Sequence, residues 1–323
     1  AGEAPPRRKA RLQQLLRRRR QVDAAAREMN LTPWQLRRRT LVAAPVLPYK
    51  TALGFVFDSG AFEQNLDRVL HQADVQDIAL RRSEAMKRGK RLGLGMCAYF
   101  ENTESYQEES AYLHINAEGG FTLAVATQCN GQGHETTFAQ LVADRFGVEI
   151  ESFRLVQGDT DAVVHGPGTG GSQSLITAGS AVLEASDRLV EKACKITAHL
   201  LETAQADIEF DAGQFIVLGT DRFVSLSKVA RAAYTWDKLP RGMEPGLWAG
   251  AIGMPTAPSF PNGFHVCEVE VDADTGAREI TRYTVVDDFG NLIHPAIVEG
   301  QVHGGTAQGI GQALLEECVY EPD

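Results

Sequence analysis

The stretch AYLHINAEGGFTLAVATQCNGQGHETTFAQLVADRFGVEIESFRLVQ, residues 111–157, changes its hydrophobic period twice. Ala111 to Ala117 and Phe121 to Gln128 alternate apolar and polar residues on either side of Glu118-Gly119-Gly120, which predicts a β-hairpin. Phe138, Leu141, Val142 and Phe146 then recur at helical spacing, and Ile150 to Gln157 reads as a strand again. Strands and helices mixed without strict βα alternation indicate an α+β fold of mixed sheets with packed helices.

The flanks carry the same mixture. Ser172 to Leu201 aligns Leu175, Ala178, Val182, Ala185 and Leu189 on one side of a long helix. Strands follow at 208–218, 264–271 and 278–287, the last two joined by a turn from Asp272 to Gly276. Asp272 and Asp274 imitate a calcium loop, but the glycine comes one place early and no glutamate closes it. Upstream, Thr32-Pro33 supplies an N-cap and a proline at the first helical position, and Phe62 to Ala85 has helical periodicity. Three regions result: a basic, disordered tail over 1–20, a helical lead-in over 21–90, and a second domain over 91–323.

The 323 residues are 43% hydrophobic and 23% charged, a globular composition. Residues 1–40 hold 12 basic and 3 acidic side chains, whereas the chain as a whole has a net charge of -10. An acidic body argues against a nucleic-acid partner. No apolar run approaches the ~18 residues of a membrane span, and no apolar segment follows the cationic N-terminus as in a secretory signal. A soluble, cytoplasmic chain is expected. Cys97, Cys129, Cys194, Cys267 and Cys318 are spaced too widely for a disulfide framework, a zinc knuckle or an iron-sulfur site, and read as buried small hydrophobes.

Two loops and one helix carry chemistry. In the first loop, Asn130 to Glu135, Gly131 and Gly133 flank Gln132 between a strand and a helix start, where exposed N–H groups favour an anion. His134 beside Glu135 does not suggest a metal, because neighbours diverge on a helix and no second histidine follows at i+4. The second loop, Gly158 to Ser172, contains Gly166, Gly168 and Gly171 in a formal GxGxxG pattern. That pattern is weak here, since the preceding strand ends well before Gly166. Thr169, Ser172 and Ser174 beside glycines suit a phosphate. The helix from Pro295 to Glu317 contains Gly300, Gly304, Gly305, Gly309 and Gly311, each costing about 0.8–1 kcal/mol against alanine, so a close packing partner is expected. Gln301, Gln308 and Gln312 fall on one face, which fits a planar polar ligand.

Taken together, GQGHETTFAQ (131–140), QGDTD (157–161), GTGGSQS (168–174), HVCEVEVD (265–272) and VDDFGNLIHPAIVEGQVHGGTAQGIGQALLEE (286–317) resemble the molybdopterin-binding large subunit of the xanthine dehydrogenase and aerobic carbon monoxide dehydrogenase type molybdenum hydroxylases. The resemblance implies a second cofactor-binding lobe that holds molybdopterin cytosine dinucleotide. By position it implies that Gly131, Gln132, Gly133 and His134 form the first cofactor loop, Gly170, Gly171, Ser172, Gln173 and Ser174 the second, and that Gln301 is the glutamine of the glycine-rich helix. The implied activity is hydroxylation of an aldehyde or N-heterocycle, or oxidation of carbon monoxide, with water as oxygen source. The implied partners are complementary large-subunit chains, an iron-sulfur subunit with [2Fe-2S] clusters and an FAD subunit.

The chain departs from the family pattern in three respects. No block carrying the family's glutamate base follows Glu317, Gln173 stands where relatives carry arginine, and the arginine-rich start matches nothing in the family. The expectation is therefore an incomplete large subunit, inert by itself, with no catalytic or metal-ligating residue of its own. A non-catalytic remnant or assembly subunit, and a nicotinamide dinucleotide-binding protein using Gly166 to Gly171, are the alternatives.

Overall fold

The structure is a computed structural model that describes residues 21–103 and 107–319. The basic tail expected over 1–20 lies outside those residues. Contacts divide the chain into two compact units, each built from two segments.

The first unit runs up to Asn102 and takes in Ser259–Gly290. It begins with helix α1 over residues 21–28 and α2, Pro33–Thr40. Thr32 caps α2 as a full capping box: the Gln35 amide donates to Thr32 Oγ1 at 3.3 Å and the Thr32 amide to Gln35 Oε1 at 2.8 Å. After a two-strand ribbon, β1 (Tyr49–Lys50) and β2 (Val56–Phe57), the region expected as one helix from Phe62 breaks in two. These are α3, Phe62–Gln72, and α4, Ile78–Lys87; Asp74 at φ 50° is left-handed and cannot continue a right-handed helix.

Strand β3, Lys90–Phe100, follows where a domain boundary between residues 90 and 91 was expected. It pairs along its whole length with β11, Asn262–Asp272, which in turn pairs with β12, Arg278–Asp288. That pairing carries the first unit past residue 90 and draws 259–290 into it. α3 buries Leu66 and Val69 with Phe264, Val266 and Val286 of the sheet.

The second unit comprises Thr103–Pro258 and the segment from Asn291. The expected hairpin forms as β4, Glu109–Ile115, and β5, Phe121–Val125, with the turn fastened by the Gly120 amide donating to Asn116 Oδ1 at 2.8 Å. Helix α5, His134–Phe146, crosses to β6, Phe153–Gln157, which lies parallel to β5 with Val125 beside Gln157. The small sheet β7 (Ile208–Asp211), β8 (Gln214–Val217) and β9 (Phe223–Ser225) and helix α7, Leu226–Ala233, come next. β10, Leu247–Gly253, completes the main sheet on the other side of β4, giving the order β10-β4-β5-β6.

The long helix α6, Ser174–Leu201, lies on this sheet with Ala178, Val182, Ala185 and Leu189 fully buried; Leu175, expected on the same side, is exposed. The last helix, α8, is Pro295–Leu314.

Candidate functional site

Topology explains why two loops distant in sequence meet. β5 and β6 are parallel, so the chain leaves both at their carboxyl ends, where open sheets form crevices. The first loop leaves β5 after Val125 and enters α5; the second leaves β6 after Gln157 and enters α6. The Gly158 amide donates to the Val125 carbonyl at 3.1 Å, closing the gap at its base. Above it, the Thr127 hydroxyl meets Thr169 Oγ1 at 2.8 Å and Ser174 Oγ at 2.6 Å, and the Thr169 hydroxyl donates to the Gln128 carbonyl.

The first loop is folded onto its own sulfur. The amides of Gly131 and Gly133 donate to Cys129 Sγ, each at 3.3 Å, and Gln132 turns its Oε1 to the Asn130 amide at 2.5 Å. Burial works to raise the Cys129 thiol pKa, but the amides of His134, Gly131, Gly133 and Gln132 together outweigh it and hold the thiol below its ordinary value. Donors that were expected to face an anion thus face a sulfur atom. Cys129 is half-buried and hydrogen-bonded, which corrects its reading as a small hydrophobe. His134 is 5% exposed with Nδ1 unpartnered, and burial lowers its pKa.

The second loop is shaped by left-handed backbone at Gly168 (φ 79°), Gly171 (φ 53°) and Ser172 (φ 59°). Successive reversals of this kind turn amides toward a common concavity. Gly170 and Gly131 border open space, since a Cβ at either would meet nothing within 4 Å. Gln173 is 4% exposed; its Nε2 donates to the Gly168 carbonyl at 3.1 Å, while its Oε1 is buried without a partner. A buried, orphaned amide oxygen costs about 1–3 kcal/mol unless a ligand or water supplies the donor.

The third element enters at its first turn. A Cβ at Gly133 would stand 2.7 Å from Ile297 Cδ1, so α8 lies directly on the first loop. Gln301, one turn further on, is exposed, as are Gln308 and Gln312. The expected close partner of this helix is not found among the described residues: a Cβ at Gly300, Gly304, Gly305 or Gly309 would meet nothing within 4 Å, and α8 buries no residue.

Sequence reasoning passed over Glu109. It opens β4 opposite Gly253 of β10, has 0% exposure, and receives the Thr127 amide on Oε1 at 2.5 Å. Burial raises its pKa against the pull of the Thr127 amide, the Thr177 hydroxyl and the Ala126 amide. Nothing in Glu108-Glu109-Ser110 distinguishes it from a solvated acidic pair.

A family model described as a molybdopterin cofactor-binding domain matches residues 68–323. The nicotine 6-hydroxylase large subunit of Paenarthrobacter nicotinovorans is 34% identical over 93% of this chain and 38% of its own length. The carbon monoxide dehydrogenase large chain of Hydrogenophaga pseudoflava is 31% identical over 94% of this chain and 39% of its own. Among solved structures, quinoline 2-oxidoreductase from Pseudomonas putida 86 superposes with a TM-score of 0.86 at 34% identity, covering 94% of this chain and 40% of that one. The chain thus spans about two fifths of the length of the relatives it matches. It belongs to the molybdopterin-binding large subunits of the xanthine dehydrogenase and carbon monoxide dehydrogenase type.

Proposed function

We propose that this chain is the cofactor-binding part of a cytoplasmic molybdenum hydroxylase that acts on an aldehyde or N-heterocycle, or on carbon monoxide, with water as the oxygen source. The observation that carries the reading is the meeting of two glycine loops at the carboxyl ends of β5 and β6, beside the orphaned Oε1 of Gln173. Gly131, Gln132, Gly133 and His134 of one loop, Gly170, Gly171, Ser172, Gln173 and Ser174 of the other, and Gln301 of α8 would hold the cofactor. Its form is the cytosine dinucleotide, whose phosphates suit the reversed backbone of the second loop.

The bound cofactor supplies the redox and oxygen-transfer chemistry; the residues of this chain bind and orient it. For the first loop this means that Gly131 and Gly133 give up Cys129 Sγ, or that sulfur stays between them and the ligand. The [2Fe-2S] and FAD centres belong to partner chains. The names of relatives as large subunits support such an assembly.

Molybdenum and CMP, released by acid from the protein purified with its partner chains, are expected in equal amounts and close to one per chain. Absence of both, or saturable binding of a nicotinamide dinucleotide instead, overturns the reading. Turnover of heterocycles or aldehydes by the isolated chain contradicts its dependence on partner chains.

A further inference from the structure

The two loops are tied through one acidic side chain that neither contains. Glu109 is fully buried, and its titratable neighbour among the described residues is His165 of the second loop. Its Oε1 receives the Thr127 amide at 2.5 Å, just before the first loop; its Oε2 faces the Thr177 hydroxyl of α6 at 3.4 Å, just after the second. Thr127 hands the constraint on through its hydroxyl to Thr169 and Ser174.

Gly166 lies against the same carboxylate: a Cβ there would stand 3.3 Å from Glu109 Cγ and 2.2 Å from Ala126 Cβ. The neighbouring Ser110 grips the His165 backbone, its amide and hydroxyl donating to the carbonyl at 3.1 and 2.5 Å. One residue pair at the head of β4 therefore touches the exit of β5, the second loop and the start of α6.

A carboxylate this deeply buried, with a histidine nearby and otherwise neutral donors, is an expensive way to fill space, because desolvation outweighs what those neighbours return. Packing alone would be served by an apolar side chain of similar size. We infer that Glu109 is the positioning residue of the cradle: by accepting the Thr127 amide and sharing the Thr177 hydroxyl with the Gln173 carbonyl, it sets the spacing of the two loops and so governs retention of the pterin nucleotide. The inference rests on the cofactor reading given above.

The test uses the full chain with its partner chains, measuring molybdenum and CMP retained after gel filtration and the melting of cofactor-stripped protein. Glu109→Gln is expected to keep wild-type occupancy, since its amide oxygen still accepts from Thr127 and its NH2 can donate to Thr177. Glu109→Asp, one methylene short, is expected to lose occupancy by about tenfold, the effect of one misplaced contact pair, with the melting of stripped protein little changed. Thr177→Val, which removes both the Oε2 contact and the bond to the Gln173 carbonyl while keeping the side-chain shape, should lie between the two.

Occupancy at the wild-type level in Glu109→Asp overturns the inference, as does equal loss in Glu109→Gln and Glu109→Asp. If Glu109→Asp fails to fold, Glu109→Met, similar in size but without an acceptor, decides: reduced occupancy supports the inference and unchanged occupancy overturns it. A wild-type protein lacking molybdenum and CMP refutes the cofactor reading and this inference with it, whereas a loaded wild type beside a loaded Glu109→Asp refutes the inference alone.

Discussion

Cys129 shows at the scale of one residue how backbone geometry alters side-chain chemistry. Burial works to raise its thiol, yet the amides of His134, Gly131, Gly133 and Gln132 prevail and lower it, whereas burial pushes Cys194 and Cys267 up. The thiolate is the reactive form, so iodoacetamide at pH 7.5 is expected to label Cys129 ahead of Cys194 and Cys267, read by mass spectrometry of the digested protein. Equal labelling of the three contradicts the amide nest.

Glu109 makes a second prediction, with a sign that follows from linkage. Burial raises its folded-state pKa above the value of about 4.3 expected for the unfolded chain, so the folded protein holds the proton more tightly. Stability linked to this proton is present at low pH and is lost as pH rises through the folded pKa. The titratable group facing it is His165; Thr127, Thr177 and Gly253, from the other elements packed around it, carry no charge. Calorimetry is expected to show Glu109→Gln melting above wild type at pH 8 and level with it at pH 4. The opposite trend contradicts the assignment. Neither residue could be read from sequence, because a lone cysteine and one glutamate of an acidic pair acquire their character from chain segments that only the fold brings together.

Between elements, β10 meets α6 in a tight junction of the second unit. A Cβ at Gly253 would stand 2.4 Å from the Thr177 carbonyl oxygen and 2.6 Å from the Ala181 amide nitrogen, and neither backbone can yield cheaply. Gly253→Ala is therefore expected to cost about 1–3 kcal/mol, measured by urea unfolding, as overpacking does elsewhere. In the first unit, Arg81 reaches Glu268 of β11 with Nη2 at 2.7 Å and Nε at 3.1 Å, and Glu268 is 3% exposed. Arg81→Met leaves that carboxylate buried and unpaired, with an expected loss of about 3 kcal/mol in the same measurement.

The elements that were legible share strong periodicity or clear punctuation: the hairpin around Gly119-Gly120, the helices α5 and α6, and α8 after Pro295. Those that were not lack either signal. β10, Leu-Trp-Ala-Gly-Ala-Ile-Gly, alternates in burial but not in polarity, and β3 hides its alternate Leu92, Leu94 and Met96 behind Gly93 and Gly95. The candidate loops were legible because glycines beside hydroxyl and amide side chains mark a backbone that approaches a ligand. What sequence could not supply was the parallel pairing of β5 with β6, which brings those loops to one end of the sheet.

At the scale of the whole chain, the order of segments decides which part can fold independently. Thr103–Pro258 contains all four strands of β10-β4-β5-β6 together with α5, α6 and α7, so the core of the second unit is contiguous in sequence. The first unit is not contiguous: β3 has β11 as its sheet neighbour, and Leu66 and Val69 of α3 are covered by Phe264, Val266 and Val286. Without 259–290, residues 21–102 would present an unpaired strand edge and an uncovered helix face, too little burial to offset the entropy of ordering the chain. A fragment of residues 103–258 is accordingly expected to melt cooperatively by circular dichroism. A fragment of residues 21–102 should give the poorly dispersed amide spectrum of an unfolded chain until a peptide of residues 259–290 is added. Dispersed resonances from 21–102 alone would mean that β3 and α3 hold their structure without the sheet, and the dependence of the first unit on its distant second segment would then be wrong.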